Sequence, residues 1–345
     1  MKAVYFDKGG SADVLHYGDI ATPNDCGENQ VLVRIKAIGI NPIDCKLRAA
    51  PERFPVTFPV IPGCDGAGIV EAVGTKVSHF KSGDEVYFSQ PGFKGRQGTY
   101  AEYTLVDASL LALKPRTLSF EQAVAAPLVF ITAWEALHDR ARIMHDQIVL
   151  IHAGAGGVGH AAIQLAKQAG ARVITTVSNE EKAAFVKQLG ADLIINYRTQ
   201  DVIAEVMRWT DSNGVDIAFD TVGPAALQSC FRCVKPYGDV VTILQATSET
   251  DWSEARKRNV RFSHELMLSP VLLELEQAKQ HQGEILKQCA ALFDDNKLTV
   301  SIARTFLLSE AATAQRFLEQ KSDWKAGSEG LKKRIRQKID IYMLI

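Results

Sequence analysis

Two textures of apolar and polar positions divide this chain. From residue 1 to about 125 the apolar positions come in short runs broken by turn residues. Lys2 to Phe6 is β-rich, and Gln30 to Ile38 alternates, with Val31, Val33 and Ile35 on one face. Gly68 to Val73 and Glu85 to Phe88 read as further strands, the second after the turn chemistry of Lys81-Ser82-Gly83-Asp84. Pro91 to Gly98 reads as a mobile loop. Short strands with many turns predict a small, barrel-like β domain.

The texture changes after Pro115. Ser119, with Gln122 three residues on, predicts a capped helix start, and Ala133 to His138 continues helical. Apolar runs then alternate with helix-patterned segments. Strands are predicted at Ile148–Ile151, Arg172–Val177, Leu193–Tyr197, Val215–Asp220 and Asp239–Leu244. Helices are predicted between them, the first with Val158, Ala161, Ala162, Leu165, Ala166 and Ala169 on one face. Such alternation predicts a parallel sheet covered on both faces, with right-handed crossovers. Beyond about residue 260 the pattern weakens into helices near Pro270–Gln280, Gly283–Phe293 and Ser309–Lys321.

The first of those strands runs into His152-Ala153-Gly154-Ala155-Gly156-Gly157-Val158-Gly159. A G-x-G-x-x-G match after a strand and before a helix is a dinucleotide fingerprint. Gly154 permits the tight turn, Gly156 lets the backbone approach a pyrophosphate, and Gly159 lets the helix sit close to the strand. The anion would rest on free N–H groups at the helix N-terminus. The second strand ends Thr176-Val177-Ser178-Asn179, with no carboxylate at the tip to take a free ribose 2′-hydroxyl. Ser178 and Lys182 offer a hydroxyl and an ammonium, which suit a 2′-phosphate and so NADPH. Glu180 and Glu181 read as residues matching the helix dipole.

The 345 residues are ample for two domains, and a net charge of -1 makes nucleic acid or an anionic membrane a poor main partner. No apolar run approaches transmembrane length, and the first residues are too polar for a signal peptide, so the cytoplasm is the expected compartment. The six cysteines are scattered and form no disulfide framework. Cys230 and Cys233 make a lone C-x-x-C, read as reduced cysteines on a helix.

Taken together, Gly39-Ile40-Asn41-Pro42-Ile43-Asp44, Pro62 to Gly68, Gly98 to Tyr103, Ala153 to Gly159, Leu189 to Asp192 and Phe219 to Gly223 are specific. The chain resembles the zinc-independent NADPH:quinone reductases of the medium-chain dehydrogenase/reductase superfamily, from residue 1 to about 320. The resemblance implies an α/β protein with a GroES-like β-rich catalytic domain over 1–125 and a Rossmann NADPH-binding domain with a doubly wound parallel sheet over 126–265. Residues 266–345 would return to the catalytic domain and end in an atypical tail. It also implies cofactor contacts: Ser178, Lys182 and Tyr197 at the 2′-phosphate, Gly154, Ala155, Gly156, Gly157, Val158 and Gly159 at the pyrophosphate turn, and Asn41 and Thr132 toward the nicotinamide. Thr221, Val222 and Leu244 would line the cofactor cleft. A homodimer is expected, with Asp239–Leu244 as a candidate edge strand for pairing across a two-fold.

Zinc-dependent relatives carry a Cys where this chain has Asn41, and Gly-His-Glu where it has Gly63-Cys64-Asp65. Catalytic zinc needs three protein ligands, so metal-free chemistry is expected. Without a strong Lewis acid, activated acceptors remain: quinones or similar conjugated carbonyls, or enals and enones reduced at the double bond. Asn41 is the candidate catalytic group, as a hydrogen-bond partner of the acceptor carbonyl. Asp44, Lys46, Arg48 and Tyr100 are weaker candidates, and Arg48–Phe54 is a candidate flap. Family members commonly end in a short Gly-Lys-containing strand. This chain instead has a basic run with Lys332, Lys333 and Arg334, then an apolar end, Ile339–Ile345. The run reads as a solvated face; a cofactor-bound RNA-binding or regulatory protein without turnover is the reading from another class.

Overall fold

Val31, Val33 and Ile35 face inward on a single strand that organises the β-rich part of the molecule. The computed structural model describes residues 1–320 and 340–343. Its chain falls into two compact units, Met1–Leu128 with Leu268–Ile345, and Val129–Met267.

In the first unit β1 (Lys2–Tyr5) and β2 (His16–Asp19) pair as a hairpin. The long β3 (Gln30–Ile40) is followed by α1 (Pro42–Ala49). Then come β4 (Asp65–Val73), β5 (Glu85–Ser89), β6 (Tyr103–Asp107) and β7 (Leu111–Leu113), before α2 (Phe120–Ala123). The expected capping box is present: Gln122 N–H donates to Ser119 Oγ at 3.3 Å, and Ser119 N–H to Gln122 Oε1 at 3.0 Å. β3 pairs antiparallel with β4 and β6, so its core face packs over Val70, Val86 and Val106. Each fully buried aliphatic side chain there contributes roughly 1.5–3 kcal/mol.

α3 (Pro127–Trp134) begins at the end of the first unit's first segment, and its part in the second unit leads through a π-helical turn, Glu135–Arg140, to β8 (Ile148–Ile151). The alternation follows: α4 (Gly157–Gln168), β9 (Arg172–Val177), α5 (Glu180–Gln188), β10 (Leu193–Asn196), α6 (Val202–Trp209), β11 (Val215–Asp220), α7 (Pro224–Cys233) and β12 (Val234–Thr242). α8 (Ser253–Lys257) and β13 (Arg261–His264) complete it. All six strands are parallel, in the order β10-β9-β8-β11-β12-β13. The order reverses at β8, which makes this a doubly wound sheet whose ligand crevice is expected at the carboxyl ends of β8 and β11.

The chain then adds α9 (Ser269–Leu272), α10 (Glu276–Asp294), β14 (Arg304–Leu307), α11 (Ala311–Gln320) and β15 (Asp340–Met343) to the first unit. β15 lies between β14 and β3, antiparallel to the first and parallel to the second. Part of the expected apolar tail is therefore a sheet strand; one ladder partner, β14, is near in the chain, and the other, β3, lies some 300 residues upstream. Lys332, Lys333 and Arg334 lie outside the described residues.

Four local expectations are corrected. The segment Asp239–Leu244 is not an edge: β12 begins at Val234 and is paired on both sides, by β11 and β13. Gly283 does not divide two helices. It lies inside α10, where an added Cβ would overlap the Ser109 carbonyl, so the glycine serves close packing. Pro91–Gly98 is anchored rather than loose: Phe93 is fully buried and stacks on Phe54 at 5.3 Å, and Arg96 grips Glu274 at 3.0 and 2.8 Å. Arg48 is no part of a loose flap. It is the last basic residue of α1, buried, with Nη1 donating to the Gly10 carbonyl at 2.8 Å and Nη2 paired with Glu319.

Candidate functional site

β8 delivers the chain into the glycine turn, and the turn is built by contacts to β9. Ala153 takes a left-handed φ of 50°. It is held there by its N–H donating to Thr176 Oγ1 at 3.0 Å, while Gly154 N–H donates to the Thr176 carbonyl at 3.1 Å. A Cβ on Gly154 would overlap Thr175 Oγ1, and one on Gly159 would overlap the Ala153 carbonyl. These two glycines serve the close approach of turn, strand and helix. Gly156 is different. Its φ of -82° suits any residue, and a Cβ there would meet only the Ala153 carbonyl, at 3.2 Å. Gly156 is also the N-cap of α4 and supplies no side chain to the first N–H groups. A bare backbone at a helix N-terminus with no side-chain cap fits an incoming pyrophosphate.

The strand ends beside the turn carry the other expected residues. Ser178 follows β9 and is buried. Asn179 caps α5 by accepting from Lys182 N–H at 2.9 Å, which places the half-buried Lys182 in the first helical turn. Tyr197 follows β10 and is tied to the end of β9 by its N–H donating to the Val177 carbonyl at 3.1 Å; its side chain is 52% exposed, open to a ligand. Ser178 and Tyr197 thus stand at adjacent strand ends. After β11, Thr221 Oγ1 donates to the His152 carbonyl at 2.8 Å, and Val222 is exposed. Leu244 follows β12, and an added Cβ on Gly223 would stand 3.3 Å from Leu244 Cδ1. Thr132 is buried on α3.

The sequence reading gave no role to Asp220, yet it holds this rim together. Its Oδ1 accepts from the N–H groups of Val222 and Gly223, each at 2.9 Å, and its Oδ2 accepts from Thr242 Oγ1 at 2.8 Å. A carboxylate at a strand end before a Val-Gly-Pro turn was the available signal. Gly223 needs its bare backbone, since its φ is 118°.

In the first unit, Asn41 follows β3 as the N-cap of α1, with Pro42 at the first helical position and Asp44 at the third. That N-cap signature was legible, and the helix was nonetheless missed. Asn41 N–H donates to Asp44 Oδ2 at 2.9 Å, and its Nδ2 donates to Asp65 Oδ2 at 2.9 Å. Asp65 is fully buried and also accepts from Leu128 N–H at 3.2 and 3.3 Å. Gly39 lies opposite Asp65 across β3 and β4, where a Cβ would stand 2.9 Å from that of Asp65. Tyr100 Oη donates to Asp44 Oδ2 at 3.3 Å, and Asp44 Oδ1 is buried with no hydrogen-bond partner among the described residues. Burial pushes both carboxyls up to about 7, and the neighbouring Asp65 charge adds to the rise at Asp44. Burial, and then the two carboxylates, push the Cys64 thiol well above its usual range. Among the described residues no three His, Cys, Asp or Glu side chains gather as a metal-binding group. Of the weaker candidates, Lys46 is exposed and Arg48 is spent on Gly10 and Glu319.

Residues 27–116 match the alcohol dehydrogenase GroES-like domain, and residues 157–267 match the zinc-binding dehydrogenase family. The chain is 34% identical over 330 residues to a 2-haloacrylate reductase of a Burkholderia species, covering 92% of this chain and 95% of that one. An alcohol dehydrogenase superfamily protein from Novosphingobium aromaticivorans superposes with a TM-score of 0.87 at 36% identity, over 99% of each chain. The Escherichia coli quinone oxidoreductase, solved with NADPH, superposes at 0.82 and 27% identity over the whole of both chains. A GroES-like half, a doubly wound half with its dinucleotide turn, and a relative matched nearly end to end place this chain in the medium-chain dehydrogenase/reductase superfamily, as a nicotinamide-dinucleotide-dependent oxidoreductase.

Proposed function

We propose that this protein is an NADPH-dependent, zinc-independent reductase of quinones or similar conjugated carbonyls. The observation that carries the reading is the buried Asn41–Asp65 pair, 2.9 Å apart, at the positions where zinc-dependent relatives place a Cys and a Glu. A neutral amide, unlike the thiolate of the relatives, is no usual zinc ligand, and Cys64 alone supplies one thiol, which burial pushes toward its protonated form. The acceptor must then bring its own electrophilicity, as a quinone or an enone does.

NADPH supplies the hydride when bound. The residues for holding it are Gly154, Ala155, Gly156, Gly157, Val158 and Gly159 at the pyrophosphate, with Ser178, Lys182 and Tyr197 at the 2′-phosphate. Thr221, Val222 and Leu244 would form the rim, and Thr132 and Asn41 would approach the nicotinamide. The absence of a carboxylate at the end of β9, and the exposed Tyr197 at the strand end next to that of Ser178, support a phosphate over a bare hydroxyl. The protein's own work is orientation and exclusion of water, with the Asn41 amide as a hydrogen-bond partner for the acceptor carbonyl.

Similarity to a reductase of 2-haloacrylate favours a second reading, reduction of an electron-poor carbon–carbon double bond. A panel of 1,4-benzoquinone, 9,10-phenanthrenequinone, simple enals and enones and 2-chloroacrylate, each with NADPH and NADH, tests both. Consumption of NADPH with quinones and formation of hydroquinone support the first; a saturated product supports the second. No turnover with any of them would overturn both. The reading includes a cytoplasmic homodimer, which light scattering of the purified chain and cell fractionation would check. Among the described residues no helix is long and apolar enough to cross a membrane.

A further inference from the structure

His152 lies buried directly beneath the glycine turn, and neither of its ring nitrogens is idle. Nε2 is 2.9 Å from Ser229 Oγ on α7, and Nδ1 is 3.3 Å from Thr176 Oγ1 at the end of β9. Both hydroxyls have a further partner. Ser229 Oγ reaches the Ala226 carbonyl at 2.9 Å, and Thr176 Oγ1 accepts from Ala153 N–H at 3.0 Å.

Only one tautomer satisfies all four contacts. With the proton on Nε2, His152 donates to Ser229, whose own proton goes to Ala226; Thr176 then donates to the bare Nδ1 and accepts from Ala153. With the proton on Nδ1, Thr176 accepts twice and its own proton has no acceptor in this set. Ser229 must then choose between His152 and Ala226, and one bond is lost. Burial holds the ring neutral by pushing its pKa down to about 4, so a doubly protonated ring, which would donate at both ends, is not the ordinary state.

We infer that His152, as the Nε2–H tautomer, is a positioning residue for the nucleotide turn: it orients the Thr176 hydroxyl that holds the left-handed Ala153, while its carbonyl anchors Thr221. The chain of bonds runs Ala153 N–H to Thr176, Thr176 to His152, His152 to Ser229, and Ser229 to Ala226. It makes the turn after β8 and the helix after β11 adopt one relative geometry. The inference rests on the reading that this turn holds the dinucleotide.

The test has two arms. Long-range proton–nitrogen correlation spectra of 15N-histidine-labelled protein should show His152 protonated at Nε2 and bare at Nδ1, with Ser229→Ala admitting the other tautomer. In the second arm, Thr176→Val and Ser229→Ala should each raise the Kd for NADPH about fivefold, the size of one ordinary net hydrogen bond. The double variant should be little worse than either single one, because both act through the same ring although their side chains belong to different elements. Thr176→Ser, which keeps the hydroxyl, should restore wild-type affinity. A proton on Nδ1, unchanged affinity in the single variants, or additive losses would overturn the role of His152. Failure of the wild-type chain to bind NADPH or NADH would instead overturn the reading of the turn, and the wild-type spectrum needs no variant to fold.

Discussion

The side-chain amide of Asn41 donates to the carboxylate of Asp65 across 2.9 Å, in a site where both residues are buried. Asp65 also receives the part-buried Leu128 N–H, so its removal would take the acceptor from the buried Asn41 amide and one acceptor from Leu128. We expect Asp65→Ala to lower stability by about 2–4 kcal/mol, measured by urea unfolding. Asp65→Asn, which preserves shape, should cost less. Asn41→Ala should lower kcat/KM for the preferred acceptor by about tenfold while NADPH still binds. An unchanged kcat/KM would remove Asn41 from the acceptor site.

The same cluster predicts a pH dependence of stability. The carboxyls of Asp44 and Asp65 rise from about 3.9 in the unfolded chain to about 7 in the folded one. The folded state therefore binds protons more tightly. This contribution is fully present below pH about 4 and is lost as pH climbs through about 7. Stability measured between pH 5 and 8 should fall with pH more steeply in the wild type than in Asp44→Asn. Parallel curves would show that Asp44 ionises as readily folded as unfolded.

The three fingerprint glycines should part company on substitution. Gly154→Ala and Gly159→Ala put a methyl into Thr175 and into the Ala153 carbonyl, and each should cost about 1–3 kcal/mol of stability. Gly156→Ala meets little within the chain and should fold nearly normally while losing NADPH affinity by tenfold or more. Thermal melts and fluorescence titration separate the two effects. Normal cofactor binding by Gly156→Ala would mean that no ligand closes on that face.

Lys182→Ala should raise the Kd for NADPH about tenfold and leave that for NADH little changed, because a charge-assisted bond to phosphate is lost. Equal changes for both cofactors would show that Lys182 does not read the 2′-phosphate.

Five of the six free cysteines are buried, out of reach of thiol-alkylating electrophiles. Burial pushes Cys45, Cys233 and Cys289 up to about 12, and Cys64 and Cys230 well above the usual range. At pH 8 a disulfide reagent should titrate Cys26 alone in the native protein and all six cysteines after denaturation. Rapid native modification of Cys64 would contradict its enclosure.

Much of the second unit was legible before any coordinates. β9 and β11 begin and end where the apolar runs do, and the glycine turn sits between β8 and α4 as its spacing required. Those features depend on neighbours within one or two turns of chain. β12 was misjudged because an open edge and a covered strand read alike along the chain; β13 alone distinguishes them. α1 was missed because its N-cap signal lay inside a motif already given another meaning.

Local pattern alone thus determined that this chain alternates strands and helices, turns on glycines at a helix N-terminus, and places no carboxylate where a ribose hydroxyl would want one. Only the tertiary structure decided that Asn41 meets Asp65, 24 residues away, and that His152 spans Thr176 and Ser229, 24 and 77 residues away. It also decided that the chain's last described strand, β15, enters the sheet beside β3. The reason is physical. Helix and turn propensities are set by adjacent residues, whereas burial, tautomer and hydrogen-bond partner are set by register between strands that are neighbours in space and distant in the chain.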